Sequence, residues 1–159
     1  MPTDAELDRD AQTVNYEIWM LMEASERLGS RLTLPTDEIA RRAVLESWVL
    51  HLRALLEFFR TGTREPDDVR AEDYFAVGSA EVARIQALAP ARGSWEESRR
   101  KEMRKLLAHI VQDRSRFNSD WNARDLAAVT DRLQTFFEAL APDRRAWFPR
   151  ASRWFASSP

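Results

Sequence analysis

The amino-acid sequence predicts an all-α fold, specifically a four-helix bundle with one long irregular crossover and a short helical C-terminal tail. In several segments apolar residues recur at steps of three and four, which is the spacing of one face of an α-helix. No alternating apolar and polar pattern persists, as a half-buried β-strand would require. The 159 residues fit one ordinary domain, and we therefore expect 1–159 to form a single bundle.

The first two predicted helices are long. Thr3 and Glu6 have the spacing of a capping box, and Gly29 is a natural helix stop. The second helix is expected to begin at Thr36, as its N-cap, and to end before Gly62. Two consecutive long helices usually pack as an antiparallel hairpin. The apolar stripes expected in the core are Leu7, Ala11, Val14, Ile18, Leu21 and Leu28, followed by Val44, Leu45, Trp48, Leu52, Leu55, Leu56 and Phe59.

The second half of the chain supplies the crossover and two more long helices. Residues 63–91 are irregular, with a short helix expected over 80–88. A second capping-box pattern then opens a third helix over about 94–112, and a fourth follows a turn at 118–122. The residues expected to face inward are Met103, Leu106, Leu107 and Ile110 in the third helix and Leu126, Val129, Leu133, Phe136, Phe137 and Leu140 in the fourth.

The C-terminal tail, 143–159, is both aromatic and basic. It carries Trp147, Phe148, Trp154 and Phe155. A short segment with four large aromatic side chains rarely stays exposed. We therefore expect the tail to pack on the bundle or on a dimer partner.

Composition excludes several classes of protein and site. The absence of cysteine excludes disulfides, thiolate metal sites and a cysteine nucleophile. No apolar run approaches the roughly 18 to 20 residues that span a bilayer, and the N-terminus lacks a signal-peptide core; a cytoplasmic protein without a membrane partner is expected. Neither histidine has a glutamate at the spacing of di-metal bundle sites, so the acidic run at 67–73 predicts no metal, and no cofactor is expected.

Charge is distributed unevenly along a chain whose net charge is −2. Residues 99–116 hold seven basic side chains against two acidic ones, and the tail from Asp143 holds four against one. A basic segment in a mildly acidic protein is either a solvated helix face or a local anion site.

The chain has two histidines, and they differ in setting. His51 lies at the edge of the second apolar stripe, where a boundary histidine with one hydrogen bond is expected. His109 lies on the third predicted helix, where helical angles place it and Arg104 on either side of the outer face. Ala108 lies between them on the helix, and its small side chain would leave a shallow depression between the two polar ones.

Further polar side chains surround this pair. Lys101 and Lys105 are close on the same face, and Asp113 follows His109 by one helical turn, where it could hold the imidazole and favour its cation. Such a set can bind a phosphodiester. The histidine could move a proton while Arg104 holds the charge that grows on phosphorus.

An arginine and a histidine separated by four residues, on the third helix of such a bundle, resemble the motif of HEPN domains. The match is carried by 101–114, and the order of long helices is compatible over nearly the whole chain. Lys105 departs from the family, which commonly has a small polar residue after the arginine. The resemblance implies a homodimer that cleaves single-stranded RNA without metal, by attack of the 2′-hydroxyl on the adjacent phosphate.

The same resemblance assigns roles to individual residues. His109 would transfer the proton and Arg104 would stabilise the phosphorane, which makes them the two catalytic residues. Lys101 and Lys105 would bind substrate, and Asp113 would orient the histidine.

A non-catalytic helical module stays open as an alternative. In that case the basic outer face of the third helix binds an acidic partner or a nucleotide, and His109 is incidental. Under either interpretation, an antitoxin or another protein is a candidate partner.

Overall fold

The computed structural model describes residues 2–29, 38–62, 65, 68–89, 98 and 123–155, and over these ranges it is all-helical, without a strand. The elements in chain order are α1 (Asp4–Gly29), α2 (Glu38–Phe58), a 3₁₀ helix (Ala71–Tyr74), α3 (Ala80–Gln86), α4 (Ala123–Ala139), α5 (Pro142–Arg145) and α6 (Ser152–Phe155). The prediction of an all-α fold is therefore confirmed for this part of the chain.

Helix α1 begins with the predicted capping box. The backbone N–H of Thr3 donates to Oε2 of Glu6 at 2.7 Å, and the N–H of Glu6 donates to Oγ1 of Thr3 at 3.3 Å. These two bonds satisfy donors that have no partner inside the helix. Gly29 is the last residue of α1, as expected. The expected cap of α2, Thr36, lies outside the described residues.

Helices α1 and α2 form the predicted antiparallel hairpin. Trp48 Nε1 donates to Ser25 Oγ at 2.8 Å, and His51 Nδ1 lies 2.6 Å from Glu17 Oε2. Moving forward along α2 therefore means moving backward along α1. The facing stripes are buried as predicted, except that Leu28, Val44 and Leu45 are half-buried.

The core is centred on an aromatic cluster around Phe136 of α4. Its ring centroid lies 5.3 to 6.3 Å from those of six other rings, and all six pairs are edge-on. The rings belong to Phe58, Phe59, Tyr74, Phe75, Phe137 and Phe148. The predicted stripe of α4 is buried from Val129 to Leu140, and only Leu126 is half-buried.

The crossover contains one predicted helix and one that the sequence did not reveal. Helix α3 agrees with the short helix expected over 80–88, and its N-cap Ser79 accepts from the N–H of Val82 at 3.2 Å. The 3₁₀ helix was not predicted. It follows Arg70, which is buried and donates from Nη1 to the carbonyl of Gly62 at 2.9 Å.

The C-terminal tail packs on its own chain. Phe148 and Phe155 are buried, and the ring of Phe155 stacks on Phe137 with centroids 5.4 Å apart. Trp147 and Trp154 are half-buried against the same core. As far as it is described, the tail therefore lies against the core of its own chain, and α5 and α6 make it helical.

Candidate functional site

The predicted catalytic pair lies in a part of the chain that is not described. Arg104, His109, Lys101, Lys105 and Asp113 all fall within 99–122, outside the described residues. The same holds for the third predicted helix apart from Ser98, and for the turn at 118–122. The arrangement of these five side chains remains a prediction.

His51 is the histidine that the structure describes, and it is buried rather than at a boundary. The residue is 5 % exposed, its Nδ1 lies 2.6 Å from Oε2 of Glu17, and Tyr16 meets its ring edge-on with ring centroids 5.7 Å apart. The predicted hydrogen bond is confirmed, whereas the predicted boundary position is wrong. A half-buried carboxylate holds the imidazole in one orientation, so the pair joins α1 to α2.

The arginines of the basic tail are engaged within the chain. Arg144 pairs with Asp4 at 2.7 Å and also donates to the carbonyl of Tyr74. Arg153 pairs with Glu23 at 2.8 Å. Acidic residues of α1 thus neutralise two of the four arginines of the tail.

Two further tail arginines also have partners. Arg145 donates to the carbonyl of Leu140 at 3.0 Å. The guanidinium of Arg150 lies over the ring of Trp19, 4.5 Å from its centroid, which is a cation–π contact.

Asn15 is a buried polar residue that sequence reasoning missed. It is 4 % exposed, and its Oδ1 accepts from the backbone N–H groups of Arg150 and Ala151 at 3.1 and 3.0 Å. A polar residue between the apolar positions Val14 and Ile18 was the only signal in the sequence. Its partners are too distant along the chain to be inferred from spacing.

A groove lies between α1 and α2, and the sequence did not reveal it. Its volume is about 310 Å³. Trp19, Met20, Glu23, Ala24 and Arg27 of α1 and Ala43, Val44 and Ser47 of α2 line it. The small side chains at three of these positions leave room between the helices.

The described residues hold neither a cluster of metal ligands nor a membrane-spanning helix. No group of three histidine, cysteine, aspartate or glutamate side chains is placed to hold a metal ion within the described ranges. None of the helices described has the length and apolar character that a membrane span requires.

No protein-family model matches the sequence, and comparisons with curated proteins and with solved structures also give no match.

Proposed function

We propose that this chain is a HEPN-like, metal-independent endoribonuclease that cleaves single-stranded RNA as a homodimer, with Arg104 and His109 as its catalytic residues. The observation that carries the proposal is the arginine and histidine separated by four residues within the most basic stretch of the chain. An arginine and a histidine beside further cations suit the chemistry of a phosphodiester.

The fold supports the proposal at a coarser level. The described residues are all-helical, and α1 and α2 form a long antiparallel hairpin. We propose that α1, α2, a third long helix over about 94–112 and α4 make a four-helix bundle with the irregular crossover between the second and third helices. Ser98, the residue described within the proposed third helix, is helical.

The proposed reaction needs only proton transfer and charge stabilisation. The RNA 2′-hydroxyl loses its proton, its oxygen bonds to the adjacent phosphorus, and the bond from phosphorus to the 5′-oxygen breaks. The leaving 5′-oxygen takes up a proton, and the other product is a 2′,3′-cyclic phosphate. His109 handles the proton, and Arg104 holds the extra negative charge of the phosphorane.

The surrounding residues have supporting roles in this proposal. Lys101 and Lys105 hold the RNA phosphates, and Asp113 orients His109. The contacts of the tail support assigning RNA binding to 99–116, because the tail arginines already contact α1 and the core.

The homodimer is part of the proposal because the sequence predicts that Arg104 and His109 face outward over a shallow surface, which a second surface must close. Two copies of the Arg104 and His109 pair would then meet in one cleft. Closure excludes water and strengthens the electrostatic contacts within the cleft.

The test is cleavage of single-stranded RNA in the presence of a chelator. The wild type is expected to yield fragments that end in a 2′,3′-cyclic phosphate, while Arg104→Ala and His109→Ala each abolish cleavage and keep the helical circular dichroism signal. Arg9→Ala, which removes an exposed arginine of α1 with its side chain 75 % accessible, is the matched control and should cleave normally. Equal cleavage by the wild type and both site variants would contradict the proposal.

A further inference from the structure

The groove between α1 and α2 has the size of a small-molecule site. Its volume of about 310 Å³ is at the lower end of the roughly 300 to 1,000 Å³ typical of ligand pockets. Its walls are mainly apolar, from Trp19, Ala24 and Val44, and a few polar side chains converge on it. This combination is typical of sites that bind small organic molecules.

One cation in the groove has no hydrogen-bond or ion-pair partner among the described residues. Glu23 is neutralised by Arg153, whose Nη2 lies 2.8 Å from its Oε1. Arg27, one turn later on α1, makes no hydrogen bond or ion pair in the described part of the structure. The groove therefore presents a guanidinium that no described residue pairs with, and a guanidinium prefers a carboxylate or a phosphate as its partner.

The hydroxyl of Ser47 is a second candidate donor to a bound anion. Serine and threonine side chains inside helices commonly donate to the carbonyl four residues earlier, as Ser25 does to Leu21 at 2.7 Å. No such bond is made by Ser47 among the described contacts, although it lines the groove from α2. It can therefore donate to a bound anion.

Trp19 lines the groove with an aromatic ring, and two residues that do not line the groove pack against this ring. The guanidinium of Arg150 lies 4.5 Å from its ring centroid, and Tyr16 packs against it with centroids 6.0 Å apart. An aromatic side chain fixed in this way offers a flat surface on which a second ring can stack at little entropic cost.

We infer that this groove binds a small planar aromatic anion, with the ring against Trp19 and the anionic group on Arg27 and Ser47. The anion is a carboxylate or a phosphate, since the guanidinium accepts both. The inference goes beyond RNA cleavage and uses none of the proposed cleavage residues. It is tested without RNA, so either proposal can fail while the other stands.

The experiment is isothermal titration calorimetry of the full chain with three probes, namely 2-naphthoate, 2-naphthyl phosphate and neutral 2-naphthol. At least one of the two anions is expected to bind, with 2-naphthol at least about 10-fold weaker. Arg27→Ala is expected to weaken binding of the anion by about 10- to 100-fold, the effect of losing a charged hydrogen bond. Arg9→Ala removes an arginine from the other end of α1 and should leave binding unchanged.

A second variant tests the location independently of charge. Ala43 is exposed and lines the groove, so Ala43→Trp fills it without replacing a core residue. This variant should lose binding while its circular dichroism spectrum stays that of the wild type. The anion that binds more tightly shows whether the groove prefers a carboxylate or a phosphate. Binding of 2-naphthol as tight as that of the anions, unchanged binding in Arg27→Ala or Ala43→Trp, or no binding of either anion would overturn the inference.

Discussion

The Nδ1 atom of His51 lies 2.6 Å from Oε2 of Glu17, and this contact joins the middle of α2 to the middle of α1. The side chain of His51 is 6 % exposed and that of Glu17 23 %. A slip of one helical turn moves a residue by about 5.4 Å and would break the bond. The pair therefore sets the register of a hairpin whose other contacts are mostly apolar.

Removing the carboxylate of this pair is expected to destabilise the chain. Glu17→Ala leaves the buried Nδ1 of His51 without its partner, which costs about 1 to 3 kcal/mol. Urea unfolding followed by circular dichroism measures the loss. Asp8→Ala, an exposed acidic residue of the same helix, serves as the control and should change stability by less than about 0.5 kcal/mol.

A double-mutant cycle separates the pair from the individual side chains. Glu17→Ala and His51→Phe should together cost less than the sum of the two single variants, by about 0.5 to 3 kcal/mol. Strict additivity would show that the two residues contribute independently.

The side chain of Asn15 is expected to hold the C-terminal tail on α1. Asn15→Leu keeps the size but leaves the N–H groups of Arg150 and Ala151 without their acceptor. The expected cost is about 2 to 4 kcal/mol in the free energy of unfolding. Asn15→Asp keeps an acceptor and should retain clearly more stability in the same urea titration. Equal losses in the two variants would mean that Asn15 acts through packing alone.

The parts of the fold that the sequence predicted are those encoded locally. Apolar steps of three and four define α1, α2 and α4, because each such helix buries one face whatever it packs against. The 3₁₀ helix Ala71–Tyr74 has no such pattern. Tyr74 is buried because it meets Phe136, far along the chain, at a centroid distance of 5.6 Å, and no local rule reveals that contact.

The candidate site could be predicted even less completely, because it depends on contacts between distant segments. The spacing of Arg104 and His109 is local and visible in the sequence, whereas a cleft that would bring them together depends on contacts between distant segments. The basic tail illustrates the difficulty. Its composition suits an anion site or a solvated face equally well, and only the contacts of Arg144 with Asp4 and of Arg153 with Glu23 show that its charge is partly neutralised within the chain.

Because of the capping box of α1, we expect the free energy of unfolding to decrease at acidic pH. Hydrogen bonds from the backbone N–H and then the hydroxyl of Thr3 lower the pKa of Glu6 below its ordinary value. Because the folded chain favours the ionised carboxylate, the stabilisation is present above the pKa of the unfolded state. It is lost as the pH falls through the lowered folded pKa.

Two substitutions of Thr3 are expected to raise the lowered pKa of Glu6 by different amounts. Thr3→Val removes the hydroxyl and should raise the pKa of Glu6 part of the way back. Thr3→Pro also removes the backbone N–H and should raise it further. An NMR titration of the Glu6 side-chain carbons measures both, with Thr135→Val in α4 as an unrelated control. One titration midpoint shared by all four proteins would exclude the capping box as the cause.

Tyr74 is expected to make the chain sensitive to alkaline pH. Burial, followed by nearby Asp10, raises the pKa of its phenol above the ordinary 10.0. The folded state therefore holds the phenol neutral. The resulting stability is fully present below the unfolded pKa and is lost as the pH rises through the folded value.

Replacing this phenol tests the effect directly. Tyr74→Phe gives up only a long hydrogen bond of 3.4 Å to the carbonyl of Leu7, so its cost at neutral pH should be at most about 1 kcal/mol. Above pH 10 its free energy of unfolding should fall less steeply than that of the wild type. Tyr16→Phe keeps Tyr74 and should follow the wild type in urea unfolding between pH 7 and 11. Parallel curves for the wild type and Tyr74→Phe over that range would show that the buried phenol contributes nothing to the alkaline loss of stability.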